Sequence, residues 1–365
     1  MGGWAEGVNG EVRWKVILGQ GEIFWGWYED CKGTRRGCVS AGMGVAVRAD
    51  GSGNASGSTG MEGELMMSGE SNRIYAMGFA AMWMVVVIHY SLIAGGSAYS
   101  FTRDALTQWA VPWFFFVSGA FAARSLAKQG WREFCAKKFW GLVIPYVIWM
   151  YVPLLAGVHN GMLWYLRSLI VFMAFTLLFD KILTRLGRAR RLVAAAAVLV
   201  GVFSLHRLGV RGVIGTPTSP FYFAGGYLLS DWFIERDIGR SVARHAWAIV
   251  AMVVLAVALR VAWFAFELHG VVEMVVRNAA VVAMFSALWL ILSRFNWADV
   301  EIPQWMRATF FVYCCHGPIL TLIGQWGWSC PFGVYFFLAP FVFFAFAAAV
   351  RRLLPRAYRI LSGGR

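Results

Sequence analysis

From Ile74 to the C-terminus the chain is a succession of apolar blocks. Several reach the roughly 20 residues that an α-helix needs to cross the hydrocarbon core of a bilayer. Hydrocarbon offers a backbone no hydrogen bonds, so a segment of this kind must satisfy its own, and a helix does so within one segment. By length and polarity we count about ten spans. They fall near 74–94, 109–127, 139–156, 162–180, 190–206, 219–234, 246–266, 273–293, 308–325 and 331–350. Composition agrees. Of 365 residues, 59% are apolar and 14% charged, where an ordinary soluble domain carries roughly 25% charged. A soluble globular protein, a disordered chain and a collagen-like repeat are all excluded. The expected fold class is all-α: a polytopic membrane helical bundle of about ten transmembrane helices.

The net charge of +14 comes from 33 basic and 19 acidic residues. No basic helix with interleaved aromatics stands apart from the spans, so nucleic acid is not an expected partner. The basic residues instead fall in alternate connections: Arg124 to Lys138, Lys181 to Arg191, Arg236 to Arg244, Arg294 with Arg307, and the C-terminal arginines. The other connections hold only Arg103, Arg207 and Arg211. Lys and Arg accumulate on the cytoplasmic side of membrane proteins. Both termini are therefore expected in the cytoplasm, with an even number of spans. Cys31, Cys38, Cys135, Cys314, Cys315 and Cys330 show neither metal-ligand spacing nor a secreted disulfide framework. They read as small packing residues, and no metal is expected.

Residues 1–70 differ from the rest. They are Gly-rich and include the linker-like run Gly51-Ser-Gly-Asn-Ala-Ser-Gly-Ser-Thr-Gly60. Residues 12–28 allow a short strand pair, but nothing there can bury a core. No signal peptide is evident, and Met61, Met66 and Met67 are alternative starts. The expected organisation is a disordered cytoplasmic tail over 1–70, of which residues 1–66 are dispensable, a transmembrane domain over 71–355 and a basic cytoplasmic tail over 356–365.

Ionisable side chains inside a bilayer are costly and tend to mark function. His89 lies in the outer half of the first span and His316 near the middle of the ninth. Arg167 lies just inside the fourth; Arg260 and Glu267 are at the outer end of the seventh; Glu273, Arg277 and Asn278 open the eighth. Their shared depth points to a hydrated cavity open to the outside. Each has a plainer reading. A lone His often hydrogen-bonds between helices. Arg260 with Glu267, and Glu273 with Arg277, also read as structural ion pairs, the second at i,i+4 spacing on one helix face.

Four segments carry a resemblance. They are Arg73-Ile-Tyr-Ala-Met-Gly-Phe-Ala-Ala-Met-Trp-Met-Val-Val-Val-Ile-His89, Val111-Pro-Trp-Phe-Phe-Phe-Val-Ser-Gly119, Lys137-Lys-Phe-Trp-Gly-Leu-Val-Ile-Pro-Tyr-Val-Ile-Trp149 followed by Leu163-Trp-Tyr-Leu166, and Phe310-Phe-Val-Tyr-Cys-Cys-His-Gly-Pro318. In order and spacing over residues 71–355 the chain resembles the acyltransferase 3 family, integral-membrane enzymes that O-acylate extracytoplasmic glycans. The resemblance implies a multi-pass cell-membrane enzyme. Its donor substrate is acyl-CoA, with acetyl-CoA the first choice, and no permanently bound cofactor is implied. The acceptor is a hydroxyl of a glycan or lipid-linked saccharide. Transfer to an alcohol needs a base, and neutral His suits that role near pH 7. His89 is the candidate base or transient acyl carrier. Tyr313 and His316 are placed beside it, to orient the thioester or the ring. Arg73, Lys137 and Lys138 are candidates for the coenzyme phosphates. Trp164, Arg167, Arg260, Arg277 and Ser118 are candidates for the acceptor site, and Ser118 with Gly119 for close helix approach beside His89.

Two positions depart from the family pattern. Gly78 stands where the family has an Arg eleven positions before the first-span His, and Gly141 where a basic residue usually lies four before Pro145. Either Arg73 and a nearby Lys take the cationic role, or this branch works differently, or activity is lost. A transporter or flippase, a glycan polymerase or ligase, and a non-catalytic membrane component of an export pathway remain the competing readings. Internal inverted repeats, common in transporters, are not evident.

Overall fold

The structure, a computed structural model, describes residues 58–93, 106–182, 189–207, 218–235, 238–266, 268–297 and 300–364. It is an all-α bundle. Among the described residues, 8 helical segments are long and apolar enough to cross a membrane. Two further helices, Ala189–Arg207 and Ser219–Leu228, stand where the remaining two spans are expected. The expected strand pair over 12–28, Cys31, Cys38 and Glu267 lie outside the described residues.

α1 (Ser58–Ile88) enters the segment expected as a tail and runs on to His89, where the backbone leaves the helix at φ −95° and ψ 12° and continues as a 3₁₀ turn, Tyr90–Leu92. α2 (Ala110–Lys128) stops where Gln129 turns extended. After Gly130 the chain re-enters helix as α3 (Trp131–Lys138), a π-turn (Phe139–Val143) and α4 (Ile144–Leu155). The wide turn falls just before Pro145, which cannot donate to the carbonyl four residues back and whose ring would crowd it. Read by apolarity, this span starts at 139. In the structure the basic stretch from Trp131 is helical as well, because the polar turn lies outside the apolar block but costs the helix nothing.

α5 (Trp164–Ile182), α6 (Ala189–Arg207) and α7 (Ser219–Leu228) follow. α7 gives way to a second π-turn, Asp231–Glu235, and a short α8 (Ile238–Ala243). α9 (Ala246–Ala265) and α10 (Gly270–Ser293) form a hairpin, with Gly270 at φ +64° supplying the turn. α11 (Thr309–Gln325) and α12 (Phe332–Leu353) complete the bundle, and α13 (Pro355–Leu361) folds back on it.

α1 is central, touching α2, α10, α11 and α12. The tightest joint is between α2 and α7. A Cβ on Gly119 would lie 2.0 Å from the carbonyl oxygen of Phe223, and one on Gly226 would lie 1.8 Å from that of Phe116. Two glycines thus let two backbones touch, the small-residue packing that replaces the hydrophobic effect between helices in lipid. Gly119 therefore does allow close approach, but to α7 rather than to the helix that ends at His89. Most of the basic segment 356–365 belongs to α13 and its turn. Tyr358 stacks on Phe311 at 5.0 Å, and Trp149 donates to the carbonyl of Leu361 at 3.0 Å.

Candidate active site

The end of α1 and the middle of α11 bring two imidazoles together. The His89 and His316 ring centroids are 5.2 Å apart. His89 sits at the junction of α-helix and 3₁₀ turn, in the bridge region of backbone space where many active-site residues are found. Its register is held by neighbours on α12 and the connection before it. Tyr335 donates to the carbonyl of Val86 at 2.8 Å, and Tyr90 to that of Cys330 at 2.6 Å. His316 is fully buried. Its Nδ1 lies 3.1 Å from the carbonyl oxygen of Val312. A carbonyl only accepts, so Nδ1 carries the proton and Nε2 is left with a lone pair. That Nε2 is buried and has no hydrogen-bond partner. A buried lone pair without a donor is unusual in a native core.

Tyr313 is 5.9 Å from the His316 ring, but its hydroxyl donates to the carbonyl of Met162 at 2.5 Å. It ties α11 to the entry of α5. Tyr165 packs edge-on to Tyr313 at 5.4 Å. The Tyr165 hydroxyl donates to the Phe114 carbonyl at 3.3 Å and lies 3.0 Å from Ser118 Oγ. Its single proton is thereby committed, so Ser118 donates to it. Asn160, buried in the turn before α5, donates to the carbonyls of Trp149 at 3.1 Å and Cys314 at 3.2 Å. Its Oδ1 is buried without a partner. Gly317 makes room there: a Cβ would fall 2.9 Å from that oxygen. Two buried acceptors, His316 Nε2 and Asn160 Oδ1, thus flank the α11 backbone at 316–317.

Arg73 is buried near the middle of α1, 16 residues before His89. Its guanidinium lies 4.4 Å from the Trp289 ring, and a terminal nitrogen donates to Ser293 Oγ at 2.8 Å. Lys137 pairs with Glu133 at 3.0 Å, and the Lys138 ammonium sits 5.1 Å from the Phe134 ring. Both lysines are therefore held on α3, while Arg73 is held on α10.

The remaining candidates form no cluster with the histidines. Arg260 reaches Gln108 at 3.4 Å and covers Trp263 at 5.2 Å. Arg277 pairs with Glu273 at 3.8 Å. Between them Asn278 accepts a hydrogen bond from Tyr222. Trp164 lies against Phe115 at 6.1 Å, and the Nε of Arg167 is buried without a partner.

A family model for an acyltransferase domain, Acyl_transf_3, matches residues 79–352. The chain belongs to the acyltransferase 3 family. Searches of curated proteins and of solved structures found no match. The family match takes in both histidines and three of the four segments in full. It begins just after Arg73 and Gly78, so both positions lie outside it.

Three polar residues that the structure places in contacts between helices are not evident from the motifs. Asn160 stands in the loop sequence His159-Asn160-Gly161. Its only signal is a short amide between two spans. Tyr165 lies in Leu163-Trp-Tyr-Leu166, yet its neighbour Trp164 draws attention by size; only the helical register shows that Tyr165 faces Tyr313. Tyr222 falls in an apolar run where nothing marks its partner on α10.

Proposed function

We propose that this acyltransferase 3 protein is an O-acyltransferase that moves an acyl group, acetyl in the first instance, from acyl-CoA in the cytoplasm to a hydroxyl of a glycan or lipid-linked saccharide on the other side of the cell membrane. The single observation that carries this is the His89–His316 pair, with the His316 lone pair buried and unpartnered. Acyl transfer to an alcohol requires removal of the hydroxyl proton as the oxygen attacks the thioester carbonyl. His89 takes that proton. His316, pinned through Nδ1, presents an acceptor that holds an incoming donor hydrogen or the proton-bearing face of His89. The thiol of coenzyme A leaves with a proton returned from the imidazolium, so the site ends neutral.

Both chain termini are read as cytoplasmic, on the charge asymmetry of the connections. Arg73 then lies at the cytoplasmic end, where an anionic donor arrives, and the acceptor-side residues Arg260 and Arg277 lie at the outer end. The test is an acetyl-transfer assay in sealed membrane vesicles, with labelled acetyl-CoA supplied to the cytoplasmic face. Label should appear on a saccharide in wild type and vanish in His89→Ala. Saccharide movement without label transfer would instead favour the flippase reading.

A further inference from the structure

At the end of the bundle that holds Arg73, a pocket of ≈ 250 Å³ opens between α8 and the end of α10. Arg240, Arg244 and Arg294 line it together with Ser293 and Asn296, and none of the described lining residues is acidic. Arg294 is anchored by donating to the carbonyls of Ala243 at 3.1 Å and Arg244 at 3.3 Å, which fixes it across the foot of α8. Ser293 is shared: its Oγ accepts from Arg73 and donates to the Trp289 carbonyl at 2.7 Å. The buried Arg73 therefore stands directly behind the pocket floor. Gly239 allows this layering. A Cβ there would fall 2.4 Å from Trp289 Nε1 and 3.0 Å from Ser293 Oγ, so α8 could not bring Arg240 over the floor.

We propose that this pocket is a phosphate site that holds the nucleotide end of the acyl donor. Guanidinium groups match phosphate oxygens in pairs of hydrogen bonds, and several on one concavity select a multiply charged anion. The size fits part of a donor better than a whole one, since pockets for complete small ligands begin near roughly 300 Å³. His89 lies about 24 Å further along the axis of α1, at 1.5 Å per residue. Coenzyme A carries its phosphates at one end and its thioester at the other end of an extended arm, so a donor anchored here by its phosphates directs its arm along α1 towards His89. The proposal rests on the acyl-CoA reading above. It also gives Arg73 a role: its charge strengthens the site from below, with Ser293 as the contact.

The experiment uses the full chain in nanodiscs and compares wild type with Arg240→Gln/Arg244→Gln and with the single Arg244→Gln, whose exposed side chain makes misfolding a small concern. Arg294 is left intact because it caps carbonyls. The probes are coenzyme A and 3′-dephospho-coenzyme A, each in neutral phosphatidylcholine discs and in discs with added phosphatidylglycerol. The double variant is expected to bind coenzyme A about tenfold more weakly, the loss of one or two charge-assisted hydrogen bonds. The loss should be smaller for the dephospho form, and the same in both lipids. Arg244→Lys, which keeps the charge but not the paired hydrogen bonds, should weaken binding less than Arg244→Gln and not reach wild type. Unchanged coenzyme A affinity in the variants overturns the pocket but leaves the donor reading standing. An effect confined to phosphatidylglycerol discs, with that lipid lost from the variant, assigns the pocket to a headgroup and overturns the proposal. Wild type that binds no coenzyme A overturns the donor reading itself.

Discussion

His316 is constrained on one side and open on the other. Its Nδ1 proton is spent on Val312, so the ring presents one defined tautomer toward His89. His89→Ala should abolish acyl transfer and leave membrane insertion and abundance intact, measured by vesicle assay and immunoblot; near-normal turnover would reduce His89 to a packing residue. Asn160 separates structure from chemistry in another way. Asn160→Leu removes two hydrogen bonds that tie the turn before α5 to the middle of α4 and to α11, each worth about 0.5–1.5 kcal/mol. It should lower the thermal midpoint as well as activity. Asn160→Asp keeps the size and the Oδ1 acceptor but sets an oxygen against the Trp149 and Cys314 carbonyls, so it should lower the midpoint at least as much; activity retained per folded molecule would mark the acceptor, and activity lost would mark the amide donor. At this scale the sequence singles out the two histidines that the structure brings together, because an ionisable ring in an apolar run needs a reason. It was silent on Asn160 and Tyr165, because their importance depends on which backbone carbonyl of another helix they meet.

Elements were legible where apolar length alone decides them, and less so where helices are joined or squeezed. The α3–α4 rod extends beyond its apolar block, and α7 is short because the chain widens at Asp231–Glu235 soon after the Gly225-Gly226 pair. Those adjacent glycines make a sharp comparison. A Cβ on Gly226 meets the Phe116 carbonyl at 1.8 Å, whereas one on Gly225 meets nothing within 4 Å. Gly226→Ala should force α2 and α7 apart and cost about 1–3 kcal/mol. Gly225→Ala should be neutral or gain up to about 1 kcal/mol through helix propensity. Thermal unfolding in detergent or nanodiscs reads both, and equal effects would show that the α2–α7 joint yields easily.

Across the whole molecule, the bundle core was expected from hydropathy, but the return of the C-terminus was not. Nothing in a short basic segment announces that Tyr358 will stack on Phe311. A chain ending at Leu354 loses that buried ring, worth roughly 1.5–3 kcal/mol by area, and should show a lower unfolding midpoint in a thermal-shift measurement. An unchanged midpoint would make α13 an appendage. The α9–α10 hairpin shows the opposite arrangement. α9 packs on α10 and touches the foot of α8, while nearly all of its own surface is left outside the bundle. At 20 residues it spans about 30 Å, the thickness of an average hydrocarbon core. Packing on α10 holds α9 on one side only, so a mismatch with the bilayer acts on this hairpin more directly than on the enclosed helices. Short-chain lipids would lean the hairpin and long-chain lipids would draw it upright, and its foot carries Arg244 and Arg294. Through hydrophobic mismatch, the chain length of the surrounding lipid becomes a variable acting on this one corner before it reaches the interior.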